Sequence, residues 1–218
     1  MLEILPFKQM KFIKVFLGSK NIRTHIDAVH AHPPNNDKFT CEIAEKISED
    51  VNCSCIIATI SRNECDLNRE RTKKNSKGID EYRTVIQLIQ KHINNLNSNG
   101  KSIRPYLHLA IHGMVDDYAR DIEIGTLHNQ TCSVNIEDWF LESIRNFYEN
   151  VTINSIFPGN SSKINHRKGC FILGSNYPGF GSNFNTIQIE ISRKIREFQR
   201  EELISNLSSL IKEFNRIF

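Results

Sequence analysis

The chain has 218 residues, long enough for one substantial hydrophobic core and short of a comfortable two-domain length. A net charge of +3 is small for that size and argues against a nucleic-acid partner; the one dense basic run, Arg69 to Lys77, reads as a solvated loop. No apolar stretch approaches the roughly 20 residues that span a bilayer, no basic-then-apolar leader opens the sequence, and six cysteines without an export signal are expected to be reduced thiols of a cytoplasmic protein.

Lys11 to Leu17 reads as a first strand and Gly18-Ser19 as the turn after it. Arg23 to His30 reads as a second strand, followed by His30-Ala31-His32-Pro33-Pro34-Asn35-Asn36-Asp37. Thr40 to Glu49 has Ile43, Ala44 and Ile47 at helical spacing, with Thr40 as an N-cap and Glu42 where the helix dipole favours an anion. Ser54 to Ile60 is a nearly continuous apolar run, as expected of a strand covered on both faces, and Cys53 and Cys55 belong to its core. Arg71 to Gly78 reads as a loop, and Asp80 to Asn95 as a helix burying Val85, Leu88, Ile89 and Ile93. Tyr106 to Ile111 alternates, so Leu107, Leu109 and Ile111 share one face and Tyr106, His108 and Ala110 the other. Ile136 to Asn150 is a further helix whose Trp139 reads as packing. Asn160 to Lys168 is polar and is expected to be mobile; Cys170 to Leu173 is a short strand. Gly174 to Gly181, with Tyr177, reads as a surface turn, or as a lid over a site. Ile187 to Ile191 alternates again, and Arg193 to Phe218 is a terminal helix interrupted near Glu201, with Leu203, Leu207, Leu210, Ile211 and Phe214 as its buried stripe. Strands alternating with helices predict a single α/β domain over residues 1–218, with a mixed, largely parallel sheet and helices on both faces.

Three strands of that pattern release polar residues at their carboxyl ends: His30 and His32, then Ser61-Arg62, then His112. Ligands bind at the carboxyl ends of strands in open α/β sheets, so these groups are expected to converge. Histidine and aspartate are ordinary Zn²⁺ ligands, and a catalytic zinc needs three protein ligands with one position left for water. His30, His32 and Asp37 are the candidates from the first stretch, with His112 as the third ligand. The competing reading makes both histidines polar strand-end residues and Asp37 a turn cap. Glu190 stands out because a carboxylate inside Ile-Gln-Ile-Glu-Ile is costly to bury alone. It is either paired with Arg193 or Arg62, or it is the general base that takes a proton from a metal-bound water. Arg62, Asn68 and Arg69 suit a substrate carboxylate, because a guanidinium meets one with two parallel hydrogen bonds. One of these arginines would alternatively stabilise an oxyanion, and both would otherwise serve as ion pairs. Asp66 reads as structural, orienting a neighbouring Arg or His. The glycines form no nucleotide motif.

These residues resemble a known family. His32 to Asp37 followed by Thr40-Cys41-Glu42-Ile43-Ala44 is similar to the metal-binding His…acid segment of poly-γ-glutamate hydrolases and N-formylglutamate amidohydrolases. Ser61-Arg62 with Asp66-Leu67-Asn68-Arg69 resembles the Ser-Arg…Asp-Leu-Asn-Arg segment of the amidohydrolases and the Asp-Leu-Asn-Arg of zinc carboxypeptidases. Leu109 to Gly113 resembles the strand bearing the third ligand, and Ile187 to Ile191 with Arg193 and Arg196 the late strand bearing a catalytic glutamate. The blocks occur in family order from Val29 to Arg196. The resemblance implies a zinc-carboxypeptidase-like (phosphorylase/hydrolase-like) fold, one Zn²⁺, and hydrolysis of an amide in a small carboxylate-bearing substrate of N-formylglutamate or γ-glutamyl type. It implies His32, Asp37 and His112 as ligands, Glu190 as base, Arg62 at the oxyanion or substrate, and Asn68 and Arg69 on the substrate carboxylate. The second ligand is Asp where the family has Glu, and His30 competes with His32 for the first. A zinc carboxypeptidase and a non-catalytic metal- or peptide-binding relative are the alternatives.

Overall fold

Four parallel strands form the centre of the molecule: β3 (Thr24–Ala28), β4 (Ser54–Ala58), β5 (Tyr106–Gly113) and β10 (Phe184–Ile191). The structure, a computed structural model, describes residues 6–116, 119–172 and 175–218. Around the centre, β1 (Lys8–Gln9), β2 (Ile13–Phe16), β6 (Ile122–Gly125) and β7 (Val151–Ile153) complete an eight-stranded sheet in the order β1-β2-β4-β3-β5-β10-β6-β7. β2 runs antiparallel to β4 and β6 antiparallel to β10, so the sheet is mixed but parallel at its core. β8 (Cys170–Ile172) and β9 (Ser175–Tyr177) form a separate antiparallel hairpin. Leu173 and Gly174, the end of the expected strand and the start of the expected lid, lie outside the described residues, as do residues 1–5, where a leader was not expected.

The helices are α1 (Thr40–Val51), α2 (Ser76–His92), α3 (Val134–Arg145), α4 (Ser161–Lys168), α5 (Arg193–Phe198) and α6 (Arg200–Ile217). β3 leads through α1 to β4 on one side, and β4 leads through α2 back across to β5 on the other. Crossovers in opposite directions keep one hand only if their helices cover opposite faces, and they do. Ile43, Ala44 and Ile47 of α1 pack with the stripes of α3 and α6 against Leu107, Leu109, Ile111 and Ile187, Ile189, Ile191. Ile79, Tyr82, Val85, Ile86 and Ile89 of α2 pack in a second core with Ile56 and Tyr106. Among the described residues no helix is long and apolar enough to cross a membrane, and all six cysteines are free.

Several boundaries differ from expectation for local reasons. α2 starts at Ser76, inside the expected loop, because Gly78 lets its first turn lie on Cys65; a Cβ there would sit 2.3 Å from the Cys65 sulfur. The terminal helix breaks at Gln199 into α5 and α6. Asn160 to Lys168, expected to be mobile, contains helix α4, N-capped by the Asn160 side chain, which accepts from the Ser162 N–H at 3.0 Å. Its sequence lacks an apolar stripe because the sheet face beneath it is polar. His25 and Asp27 of β3, His108 and His112 of β5, and Thr186, Gln188 and Glu190 of β10 are all buried. They alternate with the isoleucines and leucines that face the first core. α4 contributes Lys163 and His166, each 2% exposed.

Candidate active site

The strand order reverses direction between β3 and β5, and side chains beyond the carboxyl ends of β3, β4, β5 and β10 meet at that crevice. The first is set by loop closure. The backbone N–H of Asp37 donates to the carbonyl of His30 at 2.9 Å, so the two ends of the Pro-Pro segment come together. The Ser61 hydroxyl braces this loop by donating to the Pro34 carbonyl at 2.7 Å. The closure brings His30, not His32, alongside Asp37. His32 is exposed and its Nδ1 lies 2.7 Å from the carbonyl of Pro33 in its own loop. His32, the first ligand implied by the resemblance, thus lies away from Asp37, and its competitor His30 takes the place beside Asp37 and His112: spacing along the sequence could not reveal which histidine the turn folds inward.

His112 comes from the end of β5, and its Nδ1 lies 3.3 Å from Asp37 Oδ2. His30 Nδ1 lies 3.5 Å from the same oxygen. Tetrahedral zinc with ligands at its ordinary bond lengths sets donor atoms about 3.3 Å apart; these two separations match that spacing, and the ligand atoms of the three residues all lie within 4.8 Å of one another, so the group could hold one ion. The two imidazoles meet edge to face at 73°, with ring centroids 4.9 Å apart. Asp66, read as structural from the sequence, lies 2.9 Å from His30 Nε2; a proton donated there would leave Nδ1 for a metal. Asp37 also accepts from the Gly113 N–H at 3.1 Å and from Arg62. Gly113 has no room for a side chain, since a Cβ would lie 2.5 Å from the Arg196 guanidinium. Arg196 donates to the carbonyls of Lys38, Ile191 and Met114, tying the Asp37 loop to the ends of β5 and β10.

Electrostatics follow from this burial. Burial opposes ionisation of Asp37, yet hydrogen bonds from His112 and His30 hold it well below the usual carboxylate range. Burial likewise opposes a charged His30, but contacts with Asp37 and Asp66 raise its pKa. Burial pushes His112 down to about 4. Glu190 stands opposite His112 in the β5–β10 register. Burial, and after it the charge of Asp37, push Glu190 up to about 8, and Gln188 donates to it at 3.0 Å.

These groups line a recess of about 370 Å³. Arg62, Asn68 and Arg69, from the segment after β4, form one side. Arg62 Nε donates to the Asn35 carbonyl at 2.7 Å and Nη2 to Asp37, leaving Nη1 without a hydrogen bond among the described residues. Arg69 is exposed and sits 3.7 Å from Asp66. The opposite side is Ile156 to Asn160, from the segment after β7. Sequence reasoning missed this side altogether; Phe157-Pro158-Gly159 carries only a turn signal.

A second His–Asp–His group, His25, Asp27 and His108, lies deeper on the same sheet face. His108 Nε2 bonds Asp27 Oδ2 at 2.7 Å and its Nδ1 bonds Thr186 Oγ1 at 3.1 Å; Tyr82 donates to Asp27, and His25 Nδ1 lies 2.8 Å from the Tyr106 hydroxyl. Burial would raise Asp27, but the Lys163 ammonium and His108 hold it well below its ordinary value.

Comparison with known proteins was made on sequence and on structure. Neither family models nor curated proteins returned a match to the sequence. The structure superimposes on N-formylglutamate amidohydrolase from Ralstonia eutropha JMP134 with a TM-score of 0.63, covering 95% of this chain and 98% of that one at 14% identity. A gene product from Agrobacterium tumefaciens gives 0.62, with 93% of each chain covered at 12% identity. A bacteriophage poly-γ-glutamate hydrolase gives 0.50, with 94% and 89% covered at 13% identity. The fold is thus the zinc-carboxypeptidase-like fold that the sequence resemblance implied.

Proposed function

We propose that this chain is a zinc-dependent amidohydrolase acting on an amide in a small carboxylate-bearing substrate of N-acylglutamate or γ-glutamyl type. The observation that carries this reading is the convergence of His30 Nδ1 and His112 Nδ1 on Asp37 Oδ2, at 3.5 and 3.3 Å, in the lining of a recess. Amidohydrolases among the structural neighbours support it.

In this reading His30, Asp37 and His112 hold one Zn²⁺, with Asp66 orienting His30. A zinc ion so held supplies Lewis acidity and lowers the pKa of water to about 7. Glu190 accepts the proton of the attacking water and returns it to the departing nitrogen; its burial beside His112 keeps that proton out of bulk solvent. Arg62 Nη1 and Arg69 hold the substrate carboxylate, with Asn68 beside them, and Arg62 reaches the oxyanion from the same side. A peptidase cleaving long chains needs an open groove. Here Asn160 donates to the carbonyl of Asn68 across the recess, which favours a small substrate.

The test is elemental analysis of the purified chain together with turnover of a panel of N-acyl amino acids. One zinc per chain and hydrolysis of the acidic members are expected. A chain without zinc that hydrolyses them equally well, or a zinc-loaded chain inert to all, overturns the proposal.

A further inference from the structure

The two sides of the recess differ in chemistry because they come from opposite halves of the sheet. The segment after β4 brings Arg62, Asn68 and Arg69; β3, β5 and β10 bring the floor; the segment after β7 brings Ile156, Phe157, Pro158, Gly159 and Asn160. The second side carries no charged residue. Ile156 is 45% exposed, although isoleucine is ordinarily buried.

The apolar part of this wall, Ile156 to Pro158, is held in place by a device of its own. Glu123, on β6 opposite Glu190 and 0% exposed, directs Oε1 at three consecutive backbone N–H groups, those of Ser155, Ile156 and Phe157, at 3.0, 2.6 and 2.5 Å. Arg120 pairs with its other oxygen. Beneath the wall runs Gly125, where a Cβ would lie 2.5 Å from the Phe157 carbonyl. A buried carboxylate spent on three amides fixes a short loop far more firmly than side-chain packing alone.

We infer that the substrate carries an apolar acyl group on the far side of its scissile amide from its carboxylate, seated on Ile156, Phe157 and Pro158, and that Glu123 is the positioning residue for that subsite. The inference rests on the proposed amidohydrolase reading and narrows it. A carboxylate at the acyl end would face Ile156, Phe157 and Pro158, none of them charged, and would lose solvation, whereas each buried methylene gains.

The test uses the zinc-loaded protein and a series of N-formyl, N-acetyl, N-butyryl, N-hexanoyl and N-succinyl glutamates, with kcat/KM read from turnover and Kd from calorimetry. A rise of about twofold to fourfold per added methylene is expected, with the succinyl compound about tenfold or more below the butyryl one. Ile156→Ser flattens the dependence on acyl length. Glu123→Ala abolishes it, and Glu123→Gln, whose carbonyl still accepts from the three amides, restores much of it. A succinyl compound equal to the butyryl one, or an unchanged dependence in Ile156→Ser, overturns the inference while leaving the hydrolase reading intact. If no member is turned over, the hydrolase reading fails, and the order of the calorimetric Kd values still decides the subsite.

Discussion

Two groups of identical composition, His30–Asp37–His112 and His25–Asp27–His108, lie on one face of one sheet and differ in geometry. His25 and His108 are paired across neighbouring parallel strands, so their rings stack 4.1 Å apart at 7°. Their in-plane lone pairs run side by side. His30 lies in the turn beyond β3 and His112 near the end of β5, so the two are not paired across neighbouring strands, and their rings turn edge to face. Their Nδ1 atoms converge on one oxygen of Asp37. The deeper group also has its charge answered already, by Lys163, and both ring nitrogens of His108 are bonded. The tip group borders a recess and leaves room for an ion and a water. The proposed metal centre therefore falls on the group whose two rings are not stacked by direct strand pairing.

That contrast is open to direct attack. The largest expected effect is loss of the metal: His30→Ala and His112→Ala should fall from about one zinc per chain to below about a tenth. His25→Ala, His108→Ala and His32→Ala should retain it by elemental analysis. Full stoichiometry in His30→Ala, or depletion in His108→Ala, reverses the roles of the two groups. In its place, His108→Ala should cost on the order of 3 kcal/mol in urea unfolding, because it leaves buried Asp27 without its histidine donor.

Next in size is Glu190→Gln, expected to keep the metal and lose activity by about 10²- to 10⁴-fold. Its stability has a definite pH sign. The carboxyl of Glu190 titrates at about 8 in the folded metal-free chain, above its ordinary value, so the native state holds a proton that the unfolded state has released. Metal-free wild type therefore loses stability as pH rises from the ordinary glutamate range to about 8. Glu190→Gln lacks this loss and should melt roughly 5 °C higher than wild type at pH 8, with the gap closing toward pH 5. A gap independent of pH removes Glu190 from the buried position argued for it.

Asp66→Asn should weaken zinc binding about 10- to 100-fold by freeing the His30 ring. Its pH dependence sharpens the point. Proton and metal compete for His30, whose pKa is raised by Asp37 and Asp66, so wild-type affinity should begin to fall at a higher pH than for an ordinary histidine. In Asp66→Asn that fall should move to lower pH even as affinity at pH 8 declines. The smallest effect expected is a rise in KM of roughly tenfold for acidic substrates in Arg69→Ala with kcat little changed, as for a residue that binds ground and transition states alike. An unchanged KM makes Arg69 a partner of Asp66 only.

Much of this architecture was legible in the order of residues. Alternation in Tyr106–Ile111 and Ile187–Ile191, the apolar run at Ser54–Ile60 and the stripes of α1, α2 and α6 specify a parallel α/β core, because burial of one face imposes its own period on the sequence. Strand-end placement also brought the His30–His32 stretch, Arg62 and His112 together, since parallel strands deliver their tips to one edge, while Asp37 came from the turn after the histidines and Glu190 from the cost of burying an acid. Three things were decided only in three dimensions. Which histidine enters the site depends on a backbone bond closing the loop from His30 to Asp37. Helix α4 has no hydrophobic signature because it covers polar groups, so periodicity passed over it. The wall at Ile156–Asn160 is held by Glu123, some thirty residues earlier on a short strand. A side chain's local pattern reports whether it is buried, whereas a partner that distant is specified only by the path of the folded chain.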